Sequence, residues 1–106
     1  MNDEIQTHKS EDRTSVVCSF GLAPGESKTF HWTVDQDGLR FESALLQEAK
    51  LRLIEVRVGM YVIYCPWSWS ECGGLFKGMS IGFCVDNPTS KTVESKAVIT
   101  LRRTSP

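Results

Sequence analysis

Residues 15–35 read SVVCSFGLAPGESKTFHWTVD, and the reading of this stretch decides the fold class. Val16, Cys18, Phe20 and Leu22 alternate with Val17, Ser19 and Gly21, the period-two pattern of a half-buried strand. Ala23-Pro24-Gly25-Glu26 then places Pro and Gly at the two central positions of a type II turn. Phe30, Trp32 and Val34 alternate with Thr29, His31 and Thr33. Two strands about one turn predict a β-hairpin.

On the N-terminal side, MNDEIQTHKSEDRT holds a single aliphatic residue, Ile5, besides the initiator Met. It cannot bury enough surface to offset the entropy of ordering, so residues 1–14 are expected to be a flexible polar arm. On the other side, Asp35-Gln36-Asp37-Gly38 is a turn. Phe41, Ala44, Leu45 and Ala49 follow at helical spacing among good helix formers, which predicts a short helix over residues 42–49. In LRLIEVRV (51–58), Leu51 and Leu53 share one face while Ile54, Val56 and Val58 share the other. That phase change predicts a β-bulge or bend at 53–54. Met60 to Cys65 is apolar on both faces, as in a central strand covered on both sides, and Pro66 ends it.

PWSWSECGG (66–74) is a loop by composition. From Leu75 to Val85 large apolar residues alternate with a mostly small set that includes Gly78 and Gly82, where a backbone or an aromatic ring should pack closely. After the loop DNPTSK (86–91), Val93, Ser95, Ala97, Ile99 and Leu101 line a last strand. About six strands with turn signals every 10–15 residues predict an all-β antiparallel sandwich with one short connecting helix. The domain is expected over 15–103, with a tail at 104–106.

The 106 residues suit one domain, and 12 basic against 13 acidic residues make a phosphate-backbone partner unlikely on charge grounds. No apolar run is long enough to span a membrane, and the first residues do not read as a secretion signal, so a cytoplasmic or virion-associated protein is expected. Cys18, Cys65, Cys72 and Cys84 lack the short paired spacing of a zinc site. Buried free thiols are expected, with a Cys65–Cys72 loop disulfide as the alternative.

Motifs for nucleophilic, phosphate-binding or zinc-dependent catalysis do not occur, and His31 sits mid-strand with no obligatory partners. The expectation is a non-enzymatic protein without cofactor or metal. The outstanding local feature is Trp67-Ser68-Trp69-Ser70, close in sequence to Tyr61, Tyr64 and Glu71. Two tryptophans at i, i+2 point in opposite directions along an extended segment, so one can anchor while the other is displayed. Displayed Trp is enriched at binding hot spots. Trp67, Trp69, Tyr64, Glu71 and Trp32 are therefore the candidate binding residues, for a protein partner or, by ring stacking, for a glycan. Arg52, Arg57, Arg102 and Arg103, interleaved with Glu55 and Glu94, read as a mixed, solvated sheet face.

The order of elements carries a resemblance. LAPGES (22–27), FHWTVD (30–35), SALLQEAKLRL (43–53) leading into IEVRV (54–58), and FCVDNPTSKTVESKAVITL (83–101) together resemble the jelly-roll or sandwich coat proteins of small viruses. The resemblance implies a reduced jelly roll, and the lack of a basic run in the arm implies a subunit or surface decoration that does not contact nucleic acid. Sequence and resemblance agree on a subunit working through protein–protein contacts, foremost self-association. A carbohydrate-binding module using the aromatics of 66–74 is the alternative.

Overall fold

The structure, a computed structural model, describes residues 3–65, 68–69 and 74–104, with Cys65, Ser68 and Trp69 described by their backbone alone. Among the described residues there are ten strands and no helix: β1 (Glu4–Lys9), β2 (Arg13–Leu22), β3 (Ser27–Thr33), β4 (Leu39–Leu46), β5 (Arg52–Val58), β6 (Tyr61–Cys65), β7 (Ser68–Trp69), β8 (Gly74–Leu75), β9 (Ser80–Asp86) and β10 (Val93–Arg103). They form two antiparallel sheets, in the orders β1-β2-β10-β4-β8 and β3-β9-β5-β6-β7. The all-β, sandwich-like architecture is as expected.

The core lies between the sheets. Val16, Cys18, Phe20 and Leu22 of β2 and Ala97, Ile99 and Leu101 of β10 are buried from one side. Phe30, Val56, Ile81, Phe83 and Val85 are buried from the other. A run of three rings joins the layers: Phe20 lies 5.2 Å from Phe30, and Phe30 lies 5.3 Å from Phe83. Offset or tilted aromatic contacts of this kind add specificity beyond the area they bury.

The expected hairpin of residues 15–34 does not form. Its turn is present, with Gly25 at φ 74° and the Glu26 amide donating to the Ala23 carbonyl at 3.0 Å. The strands it joins, however, enter opposite sheets, where β2 pairs with β10 and β3 with β9. A hairpin would lay both apolar rows on one face of one sheet. A sandwich needs them facing each other across the core, so the turn becomes a corner. The β9–β10 segment crosses beside it, and Asn87 holds the two crossings together. Its Nδ2 donates to the carbonyls of Leu22 (2.9 Å) and Lys91 (2.7 Å). Its Oδ1 accepts from the amide and hydroxyl of Thr89. Its own amide donates to the Glu26 carbonyl, and its carbonyl accepts from the Gly25 amide. Asn87 is fully buried, yet its amide side chain and its backbone are all paired.

The helix expected over 42–49 is corrected to strand. β4 runs to Leu46 and pairs with β10, with Leu101 opposite Phe41 but Thr100 opposite Ser43. Glu42 is thus an extra residue, a β-bulge that resets the alternation. Leu39 and Phe41 face inward before it, and Ala44 and Leu46 after it. The resulting spacing of three between Phe41 and Ala44 imitates a helical period. The bulge expected at 53–54 is present, since Leu53 pairs with Val85 and Glu55 with Cys84, leaving Ile54 over.

Three further expectations change. The polar arm contributes β1, whose six side chains are all exposed but whose backbone pairs with β2 along its whole length. Covering an open edge needs only backbone groups, so an apolar side chain is not required. Two exposed ion pairs tie its ends to the other sheet, Lys28 with Asp3 and Lys9 with Asp35. The run 75–85 is two strands rather than one, because the chain turns at Gly78 (φ 95°) and changes sheet between β8 and β9. Finally, β6 is not covered on both faces: Tyr61 and Val62 are exposed.

Asn87→Ala should lower unfolding stability by about 2–4 kcal/mol, because it strips the donor from two carbonyls at a buried corner. Chemical denaturation measures it. A loss of a few tenths would mean that the corner does not depend on this side chain.

Candidate functional site

Of the five residues singled out from the sequence, the structure describes the side chains of two, Trp32 and Tyr64. Trp32, on β3, and Tyr64, on β6, are both partly buried and packed against the core. They lie on strands separated by β9 and β5. The backbone of Trp69, in β7, pairs with Tyr64. Trp67 and Glu71 lie outside the described residues, as does Cys72.

Large exposed apolar side chains occur instead at the turn between β5 and β6. Val58 pairs with Tyr61 across the two-residue loop Gly59-Met60, with Gly59 at φ 59°. A Gly-X loop is a favoured hairpin connection, because glycine takes the positive φ that matches the strand twist. Met60 sits in the loop, 90% exposed, and Tyr61 beside it is 77% exposed. This lone glycine between two apolar runs is the signal that would have shown Met60 to be a tip rather than the start of a core strand. The Gly59 amide donates to the Ser80 carbonyl at 2.8 Å, which docks the turn against the start of β9. The loop leading into β9 carries Phe76, 65% exposed, and is itself fastened to Val34: the Val34 amide donates to Met79 and the Gly78 amide to Val34, each at 2.8 Å. Three connections distant in sequence thus meet at one end of the sandwich, with Met60, Tyr61 and Phe76 turned to solvent.

The outer face of the second sheet bears a shallow open groove of about 270 Å³, lined by Thr29, His31, Glu55, Arg57, Gly82 and Cys84. It exists because the outward side chains of β9 are small. The His31 ring lies over Gly82, where an added Cβ would come within 3.1 Å of the imidazole. The close ring contact expected at Gly82 is thus supplied by His31. Cys84 is half-buried and free. Nucleophilic catalysis requires a hydrogen-bonded nucleophile and base. Among the described residues no hydrogen bond joins His31 to Cys84, and the Glu55 carboxylate pairs with Arg57. The same residues do not form a cluster of metal ligands, and no group of three or more His, Cys, Asp and Glu does so among the described residues.

The arginines fall on two sheets. On β5, Arg52 makes a bidentate pair with Asp86, at 3.0 and 2.8 Å, and this contact raises the guanidinium pKa further. Arg52 and Arg57 belong to the mixed, solvated face that the sequence suggests. Arg102 does not pair with Glu94. It stands between Arg13 of β2 and Arg40 of β4. The register of three strands brings these together, and no local pattern announces it. Arg13 alone of the three is neutralised, by Glu42 and Asp12, each at 3.1 Å.

Cys18, by contrast, is a core residue, buried from water on the inner face of β2. Burial pushes its thiol pKa up to about 12. Comparison with family models, with curated proteins and with solved structures gives no match to this chain.

The raised Cys18 pKa has a definite sign in folding. The unfolded chain loses this proton near pH 9, whereas the folded chain holds it to about pH 12. Stability from this group is complete below about pH 9 and falls as pH rises through that window. Denaturation midpoints should therefore drop above pH 9 in the wild type, and more shallowly in Cys18→Ala. Equal slopes would show that the thiol is not held protonated.

Proposed function

We propose that the chain is a jelly-roll-like structural subunit that works through contacts with other protein chains, foremost copies of itself, in the manner of a viral coat or decoration protein. Two features support the finer fold reading. The order β2-β10-β4-β8 opposite β3-β9-β5-β6 divides eight strands between two sheets. The chain's first and last long strands lie side by side, and β2 and β3 bend together with β9 and β10 from one sheet to the other. Paired ribbons wound in this way are the pattern of a jelly roll.

The observation that carries the functional reading is the exposure of Met60 and Tyr61, with Phe76 at the same end. Gathered apolar side chains on a small near-neutral protein mark a contact surface rather than a solvated one. A copy of the same chain offers an equal patch, and a two-fold contact between like patches is the commonest assembly of soluble chains. The open edges of the two sheets are further places where subunits can meet.

Sedimentation velocity tests the reading. The wild type should associate at concentrations of about 10–100 μM, and Tyr61→Ser combined with Met60→Ser should weaken association by about tenfold or more. A wild type that stays monomeric throughout that range would overturn the proposal.

A further inference from the structure

Leu45 stands on the outer face of the first sheet, on β4, and is 65% exposed. The register sets Val98 of β10 and Val17 of β2 abreast of it, both half-buried, so an apolar row crosses three strands. Ser15, Thr100 and Ser43 form the next row toward one end of the face, and Ser19 and Lys96 the next row toward the other. The two ends differ in charge and in relief. At one end stand Arg13, Arg102 and Arg40, and the Arg13–Glu42 pair reaches across β10 beside Arg102. Three arginines against Glu42 and Asp12 leave this end positive. At the other end, Glu94 and Glu4 against Lys96 leave the face negative. There the surface sinks into a hollow of about 170 Å³ lined by Ser19, Gln47, Glu94, Ser95 and Lys96, beside Gly21, which adds no side chain. Val98 is the midpoint of this pattern. Arg102 and Glu94 lie at equal distances along β10 to either side of it, about 13 Å away.

We propose that this face packs against the same face of a second copy, about a two-fold axis running along the Val17–Val98–Leu45 row. Such an axis reverses the strand direction, so the two sheets stack antiparallel about 10 Å apart with each apolar row on its counterpart. Arg102 then faces Glu94 of the partner subunit, and Glu94 faces Arg102 of the partner subunit. The raised Arg13–Glu42 pair enters the hollow at the negative end, where Glu42 meets Lys96 of the partner subunit. An axis along the strands would set one arginine row on the other, so charge selects the antiparallel arrangement. From Arg102 to Glu94 and across the strands the face measures about 26 Å by about 17 Å, which buries on the order of 1,000 Å² in all, the low end for a specific contact. The contact rests on the reading of the chain as a self-associating subunit. It uses a different sheet from the Met60–Tyr61 tip, so either contact can fail alone. Two separate two-fold contacts on one chain link copies beyond a dimer.

Sedimentation velocity of the full chain at about 50–500 μM tests the contact. The wild type should form species larger than a dimer, and Met60→Ser with Tyr61→Ser should stop at a dimer held by the sheet faces. In that tip-variant background, Arg102→Glu or Glu94→Arg should each weaken the dimer about tenfold or more, because like charges then meet at both ends. Both reversals in one chain, or the two single reversals mixed, should restore the dimer, because opposite charges meet again. Leu45→Ser, at an exposed position outside the core, should weaken it likewise, which keeps the test decisive if a charge reversal folds poorly. A tip variant that is monomeric throughout would overturn the face contact and leave the tip contact standing, whereas a monomeric wild type would end both. Reversals that leave the dimer unchanged, or that do not restore it when combined, would also overturn the face contact.

Discussion

The corner built on Asn87 is the constraint on which the rest of the structure depends. At that point two antiparallel segments, 22–27 and 86–93, leave one sheet for the other side by side, and the carbonyls of Leu22 and Lys91 turn to the Asn87 side chain. A buried carbonyl without a donor is costly, so the corner exists only if something inside it donates. The Asn87 side chain offers two donors and two acceptor positions, and all are used. A third crossing is fastened close by. The Gln47 amide donates to the Lys96 carbonyl at 2.9 Å, and the Glu48 amide to the Ser95 hydroxyl at 3.1 Å. Arg52, just after that crossing, clamps Asp86, just before Asn87. With the crossings fixed, the alternation of β2, β9 and β10 places one apolar row from each sheet against the other, and the Phe20–Phe30–Phe83 contacts fill the space between.

Local periodicity disclosed the material of the fold but not its wiring. The alternation at Val16–Leu22 and at Val93–Leu101 marks strands because each has one face in the core and one toward water. The bulge at Ile54 was legible because it breaks a run of otherwise regular alternation. The bulge at Glu42 was not, because Phe41, Ala44 and Leu45 then fall at spacings shared with a helix. The choice between hairpin and corner at Pro24-Gly25 rests on which strands lie near the chain's other end. That information sits well over 50 residues away from the turn, in the pairing of residues 80–102. β1 was hidden for another reason. Its pairing uses backbone groups that every residue except proline possesses, so its composition carries no sign of it.

The surface divides along similar lines. Trp32 and Tyr64 both pack against the core, Trp32 by the alternation of β3 and Tyr64 opposite Val56 after a bulge at Ile63. The most exposed apolar groups, Met60 and Tyr61, stand at a two-residue turn, while Phe76 lies in the loop before β9 and Leu45 on the outer face of β4. The cations follow register rather than sequence clustering. Arg13, Arg40 and Arg102 are far apart along the chain, and they become neighbours only because β2 and β4 both pair with β10. Features made by register are invisible to any reading of nearby residues, whereas the Met60–Tyr61 tip follows from a local Gly-X turn.

The fold requires that both chain segments cross between the sheets, and cross-strand backbone NOEs test this most directly. They should connect residues 14–22 with 93–101, and residues 27–33 with 80–86, and none should connect 14–22 with 27–33. A ladder of NOEs between the two strands that flank Pro24-Gly25 would show a simple hairpin, and would contradict the corner, the shared core and the arginine row together.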